Sequence, residues 1–364
     1  MGRATMNFAF SSEHRAFAES VKRALERACP LADVRAALTQ PDWRFHKPAW
    51  DKLRDLGVLA AALPEAYGGA DDLIALAAAA EAAGATLAPA PLGSALYLFG
   101  LTLLSEGDAK SKSKWLPALA RGATIGACYF GSGLRVTNGR VTGSARPVFD
   151  GLAAQALIVR ANDGDATCLF LVSLDEVGSV DKRPLRTLDA SKPAAEIVFT
   201  HCPAIRLGGD DGVQRARDRA ATLLAFEQIG GAGAALAIAR AYVSERMAFG
   251  RPVGSYQSIK HALADVWVKL ETARGHAYYA LWAMNSGGDD FPLAAAAAHV
   301  SASDAFEMAA RVCVHVHGGI GFTWDAAPQL YYRRARALSA FLGSTQTWRV
   351  DLGRRLIDGE RPRR

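Results

Sequence analysis

The chain has 364 residues, half of them hydrophobic and 21% charged, which excludes a disordered chain and predicts two or three packed subdomains. Its five cysteines (Cys29, Cys128, Cys168, Cys202, Cys313) are odd in number and never in CxxC spacing, which excludes a disulfide framework and a zinc site and predicts a reducing, cytoplasmic setting. The net charge of +6, part of it in Arg333, Arg334, Arg336, Arg354, Arg355, Arg361, Arg363 and Arg364, accompanies no nucleic-acid-binding module and suits an anionic ligand.

No uninterrupted apolar run reaches the roughly 18–20 residues that span a bilayer, so no membrane segment is expected. Glu13, His14 and Arg15 interrupt the order of regions that a signal peptide would show.

Residues 1–122 read as a helical domain. Ser11 or Ser12 can cap a helix carrying Phe17, Val21, Leu25 and Ala28 at helical spacing, and Pro30 follows it. A second helix runs from Pro48 to Gly57. Residues 64–69, Pro64-Glu65-Ala66-Tyr67-Gly68-Gly69, are turn chemistry, and Ala-rich helices are predicted over 72–86 and 93–106.

Residues 123–208 read as a small, shortened β domain. Asn138-Gly139 between Arg135-Val136-Thr137 and Arg140-Val141-Thr142 predicts a hairpin, and 156–159, 168–172 and 196–199 predict further strands. Residues 209–364 read as a helical bundle, with one apolar stripe through Ile259, Leu263, Val266 and Leu270 and another through Phe306, Ala310 and Cys313. Helices, strands and helices in that order make an α+β fold with segregated layers.

Two segments carry chemistry. In Glu245-Arg246-Met247-Ala248-Phe249-Gly250 a cation and an aromatic stand at a helix end, and Gln257 opens the next helix. Taken alone, Arg246 would serve the terminal carbonyls of its own helix and Phe249 the core. In His315-Val316-His317-Gly318-Gly319-Ile320-Gly321 the glycines allow backbone N–H groups to approach an anion, although such a cluster also serves as a helix–helix turn. His315 and His317, two apart, face different sides of a helix and do not make a metal pair.

Together, residues 64–69, 245–257 and 316–324 resemble the P-E-x-Y-G-G, E-R-x-x-F-G-x-x-(I/L/V)-x-x-x-Q and (I/V)-H-G-G-x-G-(F/Y)-T-W segments of the acyl-CoA dehydrogenase family, in order and spacing over nearly the whole chain. The resemblance implies a helical domain, a middle β domain and a C-terminal four-helix bundle, assembled as a tetramer with FAD across a subunit interface. It implies α,β-desaturation of an acyl-CoA thioester, in which a carboxylate takes the α-proton and the β-hydride passes to flavin, with an electron-transfer flavoprotein as acceptor. By motif position, Arg246, Phe249, Gln257, His315, Gly318, Gly319 and Gly321 resemble the elements that grip the ADP half of FAD. Ser344 and Gln346 stand where the family has FAD-contacting Thr and Gln.

The chain departs from the family at the base. The segment matching (Y/F)-E-G-T is Phe341-Leu342-Gly343-Ser344, and the alternative Glu position falls at Ala220. Neither side chain accepts a proton, so no catalytic residue is assigned. Asp218 reads as a cap or nucleotide contact, and Glu227 as a relocated base only in a rival reading. The flavin-side segment also departs, with Cys128-Tyr129-Phe130-Gly131-Ser132-Gly133 in place of (T/S)-E-P-x-A-G-S-D. These losses resemble the base-lacking subunit of the heterotetrameric acyl-CoA dehydrogenases of bacterial steroid side-chain degradation, which implies a second dehydrogenase subunit as partner. Two rivals stay open at this point: a self-sufficient homotetramer using Glu227, and a flavin-free acyl-CoA-binding or structural homologue.

Overall fold

A computed structural model describes residues 10–40, 42–175 and 177–360; Arg361, Arg363 and Arg364 lie outside them. Helix α1 (Ser12–Ala28) starts where the Ser11 hydroxyl accepts the His14 N–H, and it buries Val21 and Leu25. After α2 (Leu31–Ala37), the ring of His46 caps α3 (Lys47–Asp55) by accepting the Ala49 N–H. The turn at 64–69 needs its second glycine for space, because a Cβ on Gly69 would lie 1.9 Å from the Leu63 carbonyl oxygen. Asp72 caps α4 (Leu73–Thr86).

The stretch expected as one α-helix over 93–106 divides. Its first part, Gly93–Gly100, is wound as a fully buried π-helix, and only α5 (Leu101–Glu106) is α. Its partners come from elsewhere in the chain: the Ser94 hydroxyl donates to Asp150, and Gly93 lies against the ring of Phe341. Helix α6 (Ala109–Ala120) closes the domain.

The middle domain is a sheet that closes on itself. Its strands are β1 (Gly126–Tyr129), β2 (Arg135–Thr137), β3 (Arg140–Phe149), β4 (Ala156–Asp163), β5 (Ala166–Ser173), β6 (Val180–Leu185) and β7 (Ala194–Gly209). The ladder β4-β2-β3-β7-β5 returns to β4, with β1 parallel to β4 and β6 added on β7. Asn138 (φ +51°) and Gly139 (φ +70°) form the expected β2–β3 turn. Val141, Leu157, Phe170, Val172, Ile197 and Phe199 fill the interior.

The C-terminal bundle is built on α7 (Asp211–Glu245), α8 (Gln257–Ser286), α9 (Phe291–His317), α10 (Pro328–Phe341) and α11 (Thr345–Glu360). Both predicted stripes face inward: Val266, Leu270, Phe306, Ala310 and Cys313 are buried. Helices α4 and α7 cross backbone to backbone. A Cβ on Gly84 would stand 1.8 Å from the Glu227 carbonyl oxygen, and one on Gly230 would stand 1.9 Å from that of Glu81.

Helix α7 corrects the hydropathy reading. By length and composition it is apolar enough to cross a membrane, yet 72% of its apolar window is buried inside the protein, so it is a core helix. Counting unbroken runs missed it because Glu227 and Gln228 interrupt the run.

Two buried cations bolt the β domain to the helices. Arg334 of α10 donates to Asp189, to Ser191 and to the Leu87 carbonyl, and Lys192 lies 3.3 Å from Glu227 of α7 while donating to the Ala90 carbonyl.

Candidate functional site

Helix α7 separates two groups of the residues that the sequence singled out. Ala220 in its first third and Arg246 at its end are 26 residues apart, or roughly 39 Å of α-helix.

At the C-terminal end, Arg246 terminates α7 with its own N–H on the Tyr242 carbonyl. Its side chain is exposed and has no partner among the described residues, so it does not serve the helix carbonyls. A two-stranded hairpin follows, β8 (Met247–Ala248) and β9 (Arg251–Pro252), with Phe249 at its tip at φ +51° and 97% exposed. The core role for Phe249 is therefore overturned: the turn aims it away from the protein. Gln257 starts α8, also exposed.

The end of α9 lies beside this hairpin, because the His317 ring stacks on Tyr242 at 4.0 Å. Beyond it, His315, Gly318 and Gly319 are exposed, and Gly318 takes φ +62°. Gly321 is buried, and a Cβ there would stand 2.6 Å from the Val314 carbonyl oxygen. This end of the bundle exposes a guanidinium, an amide, an imidazole and glycine backbone. Charge-assisted and main-chain donors of this kind fit the pyrophosphate end of a dinucleotide. Around them Met247, Ile320, Phe322 and Trp324 expose apolar surface, which a second chain would cover.

Ser344 and Gln346 do not join this group. Ser344 caps α11 by accepting the Thr347 N–H, and α11 is tied to the start of α7 by the Arg355–Asp218 pair at 2.9 Å. They therefore lie at the other end of α7, with Leu342 and Gly343.

That other end holds a cavity of about 410 Å3 between β1, β3, α7 and the loop at 341–343. Leu342 lies in its wall, 7% exposed, and its carbonyl accepts from Arg217 and from the Trp348 indole, each at 3.1 Å. The rings of Phe149 and Phe341 pack at 4.8 Å in the wall. Tyr129 folds over Gly131, its hydroxyl donating to the Ser132 carbonyl. Ala220, buried at 1% exposure, is one turn of α7 beyond Arg217. Leu342 and Ala220 are therefore both aliphatic and both enclosed.

The carboxylates that the sequence singled out are engaged, and Asp150, behind the cavity wall, accepts from Ser94. Asp218 is buried between Arg355 and Gln214, and burial pushes its carboxyl up to about 6 against the pull of Arg355. That geometry replaces the cap or nucleotide contact expected for it. Glu227 is 2% exposed beside Lys192 and does not line the cavity that contains Leu342.

Cys29, Asp33 and His46 also cluster. The His46 Nδ1 accepts the Ala49 N–H, so the proton of a neutral ring sits on Nε2, 3.4 Å from Asp33, where a metal would need a lone pair. Burial raises the Cys29 thiol to about 12, and within the trio it is His46 that caps a helix, α3.

Sequence reasoning missed Arg217 and Arg146 as cavity residues. Arg215, Arg217 and Arg219 alternate along the start of α7, but nothing in that pattern says which one turns toward Leu342.

Comparison with known proteins agrees with the architecture and the motifs. Residues 11–123 match the acyl-CoA dehydrogenase N-terminal domain and residues 211–357 the acyl-CoA dehydrogenase C-terminal domain. The acyl-CoA dehydrogenase IpdE2 of Mycolicibacterium smegmatis is 32% identical over 335 residues, 92% of this chain and 95% of that protein. The solved structure of the Tcur3481-Tcur3483 steroid ACAD, a variant, superposes with a TM-score of 0.86 at 28% identity, covering 96% of this chain and 98% of that one. The ChsE4-ChsE5 complex from Mycobacterium tuberculosis gives a TM-score of 0.90 at 24% identity, covering 98% of this chain and 100% of that one, which shows the same fold. Members of this family are FAD-binding oxidoreductases acting on CH–CH bonds. The chain belongs to the acyl-CoA dehydrogenase family.

Proposed function

We propose that this chain is the base-lacking subunit of a heterotetrameric acyl-CoA dehydrogenase. The observation that carries the reading is that Leu342 and Ala220, both enclosed, occupy the two positions from which the family supplies its carboxylate. Neither can remove an α-proton, and a missing base costs on the order of 10²–10⁴ in rate.

In this reading the chain works through the C-terminal end of α7. Arg246 donates to the pyrophosphate of FAD held by the partner subunit, Gln257 and His315 add neutral donors, and the Gly318 and Gly319 backbone allows close approach. Phe249 and its apolar neighbours pack against the partner and keep water from the joint. When bound, FAD supplies the acceptor for the β-hydride; the partner supplies the carboxylate and most of the acyl pocket. The separation of the two site groups along α7 supports this division, because one chain alone cannot bring both to one flavin.

The substrate is an acyl-CoA, and the likeness to a protein described as a steroid ACAD supports a steroid-bearing acyl group. The reading of Glu227 as a relocated base is disfavoured by its enclosure beside Lys192, away from the Leu342 cavity.

Expressing the chain alone and together with a neighbouring dehydrogenase gene tests the proposal. The expected result is colourless protein alone, and two flavins per tetramer with desaturase activity on co-expression. Desaturation of a thioester at an ordinary rate by the chain alone would overturn it.

A further inference from the structure

The cavity beside Leu342 has no carboxylate among its lining residues, but it has two arginines. Arg217 projects from α7 into the cavity wall, largely buried, and burial lowers its pKa. Of its five donors one is placed, on the neutral carbonyl of Leu342, and its flat face lies 5.0 Å over Trp348. The adjacent acid, Asp218, is held by Arg355 and Gln214.

A second cation enters from the β domain. The β3–β7 register breaks between Ala145 and Val148, and Arg146 stands in that break, lining the same cavity. Its side chain has no hydrogen-bonding or ionic partner among the described residues. No carboxylate side chain lines the cavity: Asp218 and Asp351 attract Arg217 from behind its wall, and the charges that face inward are the two guanidinium groups. The remaining walls are mostly apolar, with Leu98, Phe130, Val213, Phe341 and Leu342, and carry the neutral polar groups of Ser94, Cys128 and Tyr129. A thioester is neutral at its carbonyl and leaves such a pair of cations uncompensated. A carboxylate satisfies guanidinium forks, and a flat apolar skeleton behind it satisfies the aromatic walls.

We propose that this cavity is a binding site for an organic carboxylate on a ring skeleton, held by Arg217 and Arg146. The site is separate from the Arg246 end of the molecule and does not depend on how flavin is shared between subunits.

The test is titration of the purified full-length chain, with or without its partner, with 2-naphthoate and with its neutral isostere 2-naphthamide, followed by calorimetry. Charge-assisted hydrogen bonds contribute about 1.5–3 kcal/mol each, so the acid is expected to bind at least about tenfold more tightly than the amide. Arg146→Gln, at an exposed side chain that bears no fold contact, is expected to weaken acid binding about tenfold and leave amide binding unchanged. Arg217→Met is expected to do the same, and Arg217→Lys to restore part of the preference. Equal affinity for acid and amide would overturn the proposal, as would an acid preference that survives both Arg146→Gln and Arg217→Met. Inorganic phosphate displacing 2-naphthoate as well as benzoate does would also overturn it, since the site would then read charge without a skeleton. These readouts are independent of flavin content, so their failure leaves the base-lacking assignment standing, and failure of that assignment leaves them standing.

Discussion

The two ends of α7 were built for different neighbours. Along its first half the buried ions are paired within the chain, Asp218 with Arg355 and Glu227 with Lys192, and Gln228 donates to Ser303; Arg217, turned to the cavity, is the exception. At its last residues the side chains of Arg246 and Phe249 point outward, and Gln257, His315, Gly318 and Gly319 lie exposed beside them. A surface that leaves charged donors and large apolar rings open together is finished by another molecule, whereas an interior with paired ions is finished by folding. The difference teaches where to look for fold and where for assembly: changes at the first half should act on stability, and changes at the second half on flavin retention and partner binding.

The largest effect expected on the folding side is at Lys192. Lys192→Met leaves Glu227 charged and buried beside an apolar side chain, where loss of one member of a buried pair costs about 3–5 kcal/mol. Chemical denaturation of the chain alone checks this, and a loss below about 1 kcal/mol would break the contrast between the ends.

On the assembly side, Arg246→Ala should leave the isolated chain's stability within about 0.5 kcal/mol, as for an exposed side chain without partners. In the co-expressed complex it should weaken flavin retention by about tenfold or more, because a charge-assisted hydrogen bond contributes about 1.5–3 kcal/mol. Flavin release during dialysis of wild type and variant measures this, and equal release would remove Arg246 from the flavin site.

The smallest effect is a pH dependence at the folding end. His299 is fully buried, packs at a tilt against the Trp348 ring and has neither ring nitrogen bonded among the described residues, and burial lowers its pKa to about 3. Its folded pKa lies below the unfolded value of 6.5, so the unfolded chain takes up the proton first as pH falls. Stability is therefore complete above 6.5 and declines from there toward 3, by about 2 kcal/mol at pH 5. His299→Leu should remove that decline with little change at pH 8. Parallel acid titrations of wild type and variant that coincide would show that the ring is not the source.

Much of the fold was legible because local chemistry dictated it. Ser11 and Asp72 cap helices as their side chains require, Asn138-Gly139 turns the β2–β3 hairpin, and the α8 and α9 stripes face the core. The π-helical winding of Gly93–Gly100 was not legible in a segment whose contacts, the ring of Phe341 and the carboxylate of Asp150, lie about 250 and 56 residues away. The site was legible as motifs but not as a geometry. Arg246, Phe249, Gln257 and the glycines at 318–321 gather at one bundle end, while Ser344 and Gln346 share their sequence neighbourhood with Leu342 and go to the other.

The sequence by itself determined the family, the order of the three domains and the absence of a proton acceptor at 220 and 342, because these follow from residue identity and spacing alone. Only the tertiary structure decided that Phe249 faces outward, that Glu227 is enclosed beside Lys192, and that Arg217 and Arg146 meet at one cavity. Those facts depend on which elements pack together, and no one-dimensional pattern records the partner a side chain meets once the chain has closed on itself.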